Sequence, residues 1–208
     1  MTSGTAARRL TARQDKLADV RDQQAAAALR RRRLGLGAWM VGLLVIAGLV
    51  TAALLSSRPV QSSAARVAPD FSLPTSVGGT LRLSSLRGAP VLLYFSEGAG
   101  CDACLVQMAE IEKNPGFAKA GIRVVPIVMN SASQINADAK RLGVQTPFLL
   151  DGGAVSKAYG TIGTGMHANL PGHGFVLIDA KGVQRWYGNY PSMWITPQAL
   201  LDEVLKRR

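Results

Sequence analysis

The segment from Leu34 to Leu55, LGLGAWMVGLLVIAGLVTAALL, runs for 22 residues without a charge. A helix needs about 20 apolar residues to cross a bilayer, so this stretch is expected to be a transmembrane helix. Arg30 to Arg33 abut its amino end, whereas only Arg58 and Arg66 follow closely after its carboxyl end. Positive charge is retained on the cytoplasmic side of such helices. Residues 1–33 are therefore expected to be a basic cytoplasmic tail, with everything beyond residue 55 exported from the cytoplasm. A cleaved signal peptide competes with this reading, but its apolar core usually holds only about 7 to 15 residues and its basic region is shorter. An uncleaved signal-anchor in the cell membrane is the expectation.

A formal charge of +11 over 208 residues raises nucleic acid as a partner, and the distribution of that charge argues against it. Residues 1–33 hold nine Lys or Arg against Asp15, Asp19 and Asp22, so more than half of the excess precedes the span. No aromatic residue or binding motif accompanies it there, and no nucleic-acid partner is expected. Residues 56–68, SSRPVQSSAARVA, are small and polar, as suits a flexible linker. Residues 69–208 are long enough for one ordinary domain.

Within that domain Phe71, Leu73, Leu81, Leu83 and Leu86 flank Gly78-Gly79, which predicts a short hairpin. Ala89 to Ser96, APVLLYFS, is a continuous apolar run and reads as a strand covered on both faces. Leu105, Met108 and Ile111 then recur at helical spacing. Ile122 to Met129 reads as a second central strand, Ser133 to Leu142 as a helix closed by Gly143, and Pro147 to Leu150 as a short strand before a small helix at residues 154–159. Gly174 to Asp179 and Val183 to Tyr187 form a hairpin around residues 180–182, and an amphipathic helix covers residues 197–205. The alternation predicts an α/β domain with a central mixed sheet and helices on both faces.

Two cysteines occur in the whole chain, Cys101 and Cys104, and they fall at the junction between the first central strand and the helix that follows. That spacing at that place is a redox CxxC signature. Unpaired amides at a helix N-terminus favour a thiolate, which marks Cys101 as the nucleophile. Three positions further along the helix Cys104 lies on the same face, where it can attack a mixed disulfide and resolve it. Glu97 and Asp102 are close by, and negative charge opposes ionisation of the thiol; a comparatively reducing centre is expected. A purely structural disulfide closing so short a loop gains little from chain entropy. A zinc site would have to recruit both His167 and His173 at unusual spacing, and no metal is expected.

The order APDFSLP, PVLLYFSEGAGCDAC and PGHGFVLIDAKG resembles membrane-anchored thioredoxin-like proteins of the redoxin and TlpA-type group, relatives of the AhpC/TSA proteins, over residues 69–205. The resemblance implies a thioredoxin-like fold with an N-terminal β-hairpin extension. It also implies an extracytoplasmic thiol-disulfide oxidoreductase that works on protein thiols and disulfides together with an electron donor or acceptor, and that needs no cofactor. An aromatic residue usually precedes the first cysteine in this group; here Gly98-Ala99-Gly100 stands there, and a flexible approach to Cys101 is expected. The group also carries a cis-proline facing the disulfide just before the penultimate strand. Pro171 is the candidate, although His173 sits nearer that position; facing the sulfurs, His173 could shuttle protons or hold the thiolate by charge. Two other readings stay open. One is a copper-handling chaperone of the same fold, using the cysteines and His173. The other is a peroxiredoxin-like peroxide reductase, whose PxxxTxxC pattern finds Tyr94 and Gly98 where Pro and Thr belong.

Overall fold

The computed structural model describes residues 3–163 and 168–207. The chain divides into two units, residues 1–55 and residues 56–208. The first is a single helix, α1 (Ser3–Ser56). Its stretch from Leu29 to Ser56 is the one helix among the described residues long and apolar enough to cross a membrane.

The second unit is built on a mixed sheet whose middle is the run of β-formers anticipated after Pro90. Strand β5 (Val91–Phe95) is buried at every position, because apolar layers cover both sides of it. Before it come β1 (Val60–Ser62), β2 (Arg66–Val67) and the hairpin of β3 (Ser72–Pro74) and β4 (Thr80–Arg82). After it come α2 (Asp102–Lys113), α3 (Pro115–Lys119), β6 (Arg123–Val128), α4 (Ala132–Leu142), β7 (Leu149–Leu150), α5 (Ala154–Ala158), β8 (Gly174–Ile178), β9 (Val183–Asn189) and α6 (Pro197–Leu205). The sheet order is β1-β9-β8-β5-β6-β7, with β2 also on β9. β5 runs parallel to β6 and antiparallel to β8. This is the thioredoxin-like arrangement of a central mixed sheet between helices.

Alternation along the strands divides the core in two. Leu92, Tyr94, Phe175, Leu177 and Trp186 face a layer that includes Leu105, Met108 and Ile111 of α2, Ile135 of α4 and Leu200 and Val204 of α6. Leu93, Phe95, Val125, Ile127, Val176 and Ile178 face Phe71, Leu73, Leu83 and Tyr159, so the hairpin closes the opposite face. Each fully buried side chain of this size contributes about 1.5–3 kcal/mol by leaving water. Trp186 and Tyr190 belong to the first layer, whereas Trp194 remains 39% exposed.

The residues expected to form a linker are in part sheet. Val60, Gln61 and Ser62 pair with Asn189, Gly188 and Tyr187, and Arg66 and Val67 pair with Gln184 and Val183. Composition hides these strands because their side chains are exposed; the order comes from backbone pairing to the free edge of β9. Helix α4 begins on a capping box in which Ser131 and Gln134 bond reciprocally, and it ends at Gly143 with φ 76°, the left-handed conformation that glycine adopts without strain.

Candidate active site

The C-terminal end of β5 leads into the loop 96–101 and then into α2, and Cys101 is the N-cap of that helix. Its Sγ accepts a hydrogen bond from Cys104 N–H at 3.4 Å. The sulfur therefore lies at the pole of the helix where amide hydrogens lack partners and negative charge is favoured. A disulfide joins Cys101 to Cys104, with Cα atoms 5.4 Å apart. Cys101 is partly exposed and Cys104 is buried, so of the two residues Cys101 is the one open to solvent.

The loop before Cys101 is pinned, contrary to the flexibility expected from Gly98-Ala99-Gly100. Ala99 N–H donates to Asn130 Oδ1 at 2.9 Å, Gly100 N–H to Asp138 Oδ2 at 3.0 Å, and Cys101 N–H to Gly98 O at 3.0 Å. Glycine at position 98 is a steric necessity. Its φ is +75°, and a Cβ there would overlap Asn130 Oδ1 and lie 2.8 Å from Val128 Cγ1. Position 100 has φ +92° but faces open space. The glycines fit the loop against β6 and α4, and its backbone amides hold it there.

Asp102, the first residue of α2, is not the free negative charge that the sequence suggests. Arg141 of α4 grips its carboxylate with two nitrogens, at 3.0 and 2.5 Å, and also reaches Asp138 at 3.0 Å. Hydrogen bonding to Arg141 lowers the Asp102 pKa, against a smaller opposing effect of desolvation. Asp102 therefore opposes ionisation of Cys101 less than its place in the sequence suggests; Glu97 lies half-buried in the same loop. Arg141 lies 37 residues after Cys104, and only the helical phase of α4 beside α2 could have pointed to it.

His173 does occupy the place directly before β8, and it is 1% exposed. Tyr94 Oη lies 3.1 Å from His173 Nδ1 and donates to Cys104 O at 3.0 Å. The two rings meet edge to face, and Tyr94 stacks on Phe175. Burial lowers the His173 pKa to about 4, so at neutral pH the ring is uncharged and cannot hold a thiolate by charge. The link from His173 to the cysteine pair runs through the Tyr94 hydroxyl to the Cys104 backbone. Sequence reasoning passed over Tyr94 because an aromatic inside an apolar strand reads as packing alone.

Pro171 is buried, and its peptide bond is trans. It bridges Ile162, flanked by bonds from Gly163 N–H to Leu170 O and from Gly172 N–H to Thr161 O, both 2.8 Å. This short ladder keeps residues 170–172 extended two positions ahead of β8, so the expected cis-proline role is not met there. Among the described residues no three His, Cys, Asp or Glu side chains form a metal-binding cluster, and His167 lies outside the described residues.

Known proteins resemble this chain in sequence and in fold. Peroxiredoxin Q, chloroplastic, of Populus jackii is 33% identical over 141 residues, covering 66% of this chain and 64% of that protein; the chain thus spans less than two thirds of the length of such relatives. Among solved structures, a putative protein disulfide isomerase from Bacteroides thetaiotaomicron shares 26% identity with a TM-score of 0.54, over 68% of this chain and 87% of that one. Peroxidoxin BcpB from Mycobacterium tuberculosis superposes with a TM-score of 0.58 at 22% identity, over 69% of this chain and 94% of that one, a likeness of fold. The profile of the AhpC/TSA family matches residues 64–187, a span that takes in the pinned loop, both cysteines and the Tyr94–His173 pair, and the chain belongs to that family.

Proposed function

We propose that the protein is a membrane-tethered thiol-disulfide oxidoreductase that exchanges disulfides with exported proteins. One observation carries the reading: a partly exposed Cys101 at the N-terminus of α2, disulfide-bonded to a buried Cys104. In the reduced form the Cys101 thiolate attacks one sulfur of a partner's disulfide. A mixed disulfide forms and the partner's other sulfur leaves as a thiolate. The Cys104 thiolate then attacks Cys101 Sγ, closing the internal disulfide and releasing the second partner thiol. Two electrons and two protons pass to the partner, and a dithiol donor restores the centre by the same steps in reverse.

The tether is supported by the apolar length of Leu29–Ser56, and its orientation by Arg30 to Arg33 on the amino side. Protease protection in spheroplasts tests both; degradation of residues 56–208 only after lysis would overturn an extracytoplasmic location. For the reaction, Cys101→Ser is expected to abolish turnover of a protein disulfide, and Cys104→Ala to accumulate mixed disulfides. Full activity in Cys101→Ser would refute the assignment of the nucleophile.

Similarity to peroxiredoxin Q favours a second reading, peroxide reduction at Cys101. Against it, Tyr94 and Gly98 stand where the PxxxTxxC pattern has Pro and Thr, and the packing around Gly98 leaves no room for a Thr side chain. Peroxide consumption measured beside disulfide exchange, on one preparation, decides between them.

A further inference from the structure

The dithiol centre has a third participant that lies on a different helix. We propose that Arg141 is a positioning residue of the Cys101–Cys104 centre, holding Asp102 in an ion pair so that the negative charge between the two cysteines does not oppose the Cys101 thiolate. The proposal rests on the thiol-disulfide reading for its consequence in turnover, but its geometry stands independently.

Three contacts carry it. Arg141 Nη1 and Nη2 both meet the Asp102 carboxylate, a two-point grip that fixes orientation as well as charge. The same guanidinium binds Asp138 Oδ1 at 3.0 Å, and Asp138 Oδ2 receives Gly100 N–H, the amide just before Cys101. One cation thus organises the residue on each side of the nucleophile. The pattern is economical in electrostatic terms. Asp102 as first residue of α2 suits the helix pole, which by itself would place an anion in competition with the sulfur for the same amides. Pairing with Arg141 removes most of that competition without losing the carboxylate.

The other ionisable groups around Cys101 do not duplicate this role. Asp138 is an acid that shares Arg141, Glu97 is a second acid in the loop, and His173 contacts Tyr94 and is neutral at pH 7. Arg141 and Asp102 are both about half exposed, so the pair adds little to folding stability. Its effect falls on the sulfur of the adjacent residue, whose ionisation responds to nearby charge.

The test is the pH dependence of Cys101 alkylation by iodoacetamide in the reduced full chain, in detergent, using a Cys104→Ala background so that one thiol reports. Arg141→Gln is expected to raise the Cys101 pKa by about half a unit, roughly a threefold loss of thiolate near neutral pH, from one uncompensated charge at short range in a watery surrounding. Asp102→Asn is expected to lower it or leave it unchanged. The double variant Arg141→Gln, Asp102→Asn returns to within about 0.2 units of the parent. A merely structural Arg141 would give no shift, or a shift that Asp102→Asn fails to reverse, and either result overturns the proposal. Because alkylation needs no partner protein, the pKa pattern stands or falls apart from turnover: a protein showing the pattern but no disulfide exchange would refute the function and keep the role of Arg141.

Discussion

Gly98 and Gly100 flank Ala99 in one loop, both at positive φ, yet they differ in what surrounds them. A left-handed conformation costs an L-residue about 1–2 kcal/mol relative to glycine, so Gly98→Ala and Gly100→Ala share that penalty. At position 100 a methyl group meets nothing within 4 Å, and about 1–2 kcal/mol is the whole expected loss. At position 98 the methyl overlaps Asn130 Oδ1 and crowds Val128. Asn130 must swing away and release Ala99 N–H, at about 1 kcal/mol for the hydrogen bond, and overpacking against Val128 adds about 1–3 kcal/mol. Gly98→Ala is therefore expected to destabilise the domain by about 3–6 kcal/mol, roughly 2–4 kcal/mol more than Gly100→Ala. Urea unfolding of the oxidised full chain in detergent, followed by the fluorescence of buried Trp186, measures both. Losses that agree within about 0.5 kcal/mol, the usual scatter of independent sites, would show that the Asn130–Val128 cradle does not hold the loop, and the argument for a pinned approach to Cys101 would fail.

His173 makes stability depend on acid. Its pKa is about 4 when folded and about 6.5 when unfolded, so the unfolded chain takes up the proton first as the pH falls. The contribution is complete above about pH 6.5 and is lost progressively towards pH 4, amounting to at most about 3–4 kcal/mol. His173→Phe should flatten that part of a stability profile measured between pH 4 and 7; an unchanged acid slope would refute burial as the cause. Tyr94→Phe keeps the stack on Phe175 but strips a partner from Cys104 O and from the His173 ring, with an expected loss of about 1–3 kcal/mol. Thermal melts would show it, and a variant as stable as the parent would mean that those groups find other partners.

Much of the framework was readable because each main element carries its own periodic or capping signal. The continuous apolar run became β5, the spacing of Leu105, Met108 and Ile111 became α2, and the helix expected from Ser133 and closed by Gly143 became α4. The CxxC at the strand-to-helix junction was legible for the same reason, since both of its neighbours were. What stayed hidden depends on contacts between distant residues. β1 and β2 have polar, exposed side chains and are ordered only by the backbone edge of β9. The Arg141–Asp102 pair joins two helices, and an arginine on a helical surface is commonplace. The loop glycines suggested looseness, whereas the partners that fix them lie on β6, α4 and the turn between them. Pro171 was placed by analogy with a pattern whose spacing this chain does not keep.

The closing of the sheet by its earliest strand has a consequence for biosynthesis. Gln61 of β1 lies beside Tyr190, 129 residues later in the chain, and among the described residues β1 pairs with β9 alone. At about 5–20 residues per second on the ribosome, roughly 6–26 seconds separate the appearance of the first partner from that of the second. During that interval the stretch 60–67 presents open amides and carbonyls to whatever it meets. Its capture by β9 must come after nearly everything else has been made, which makes the joining of these strands a late event in the maturation of the domain.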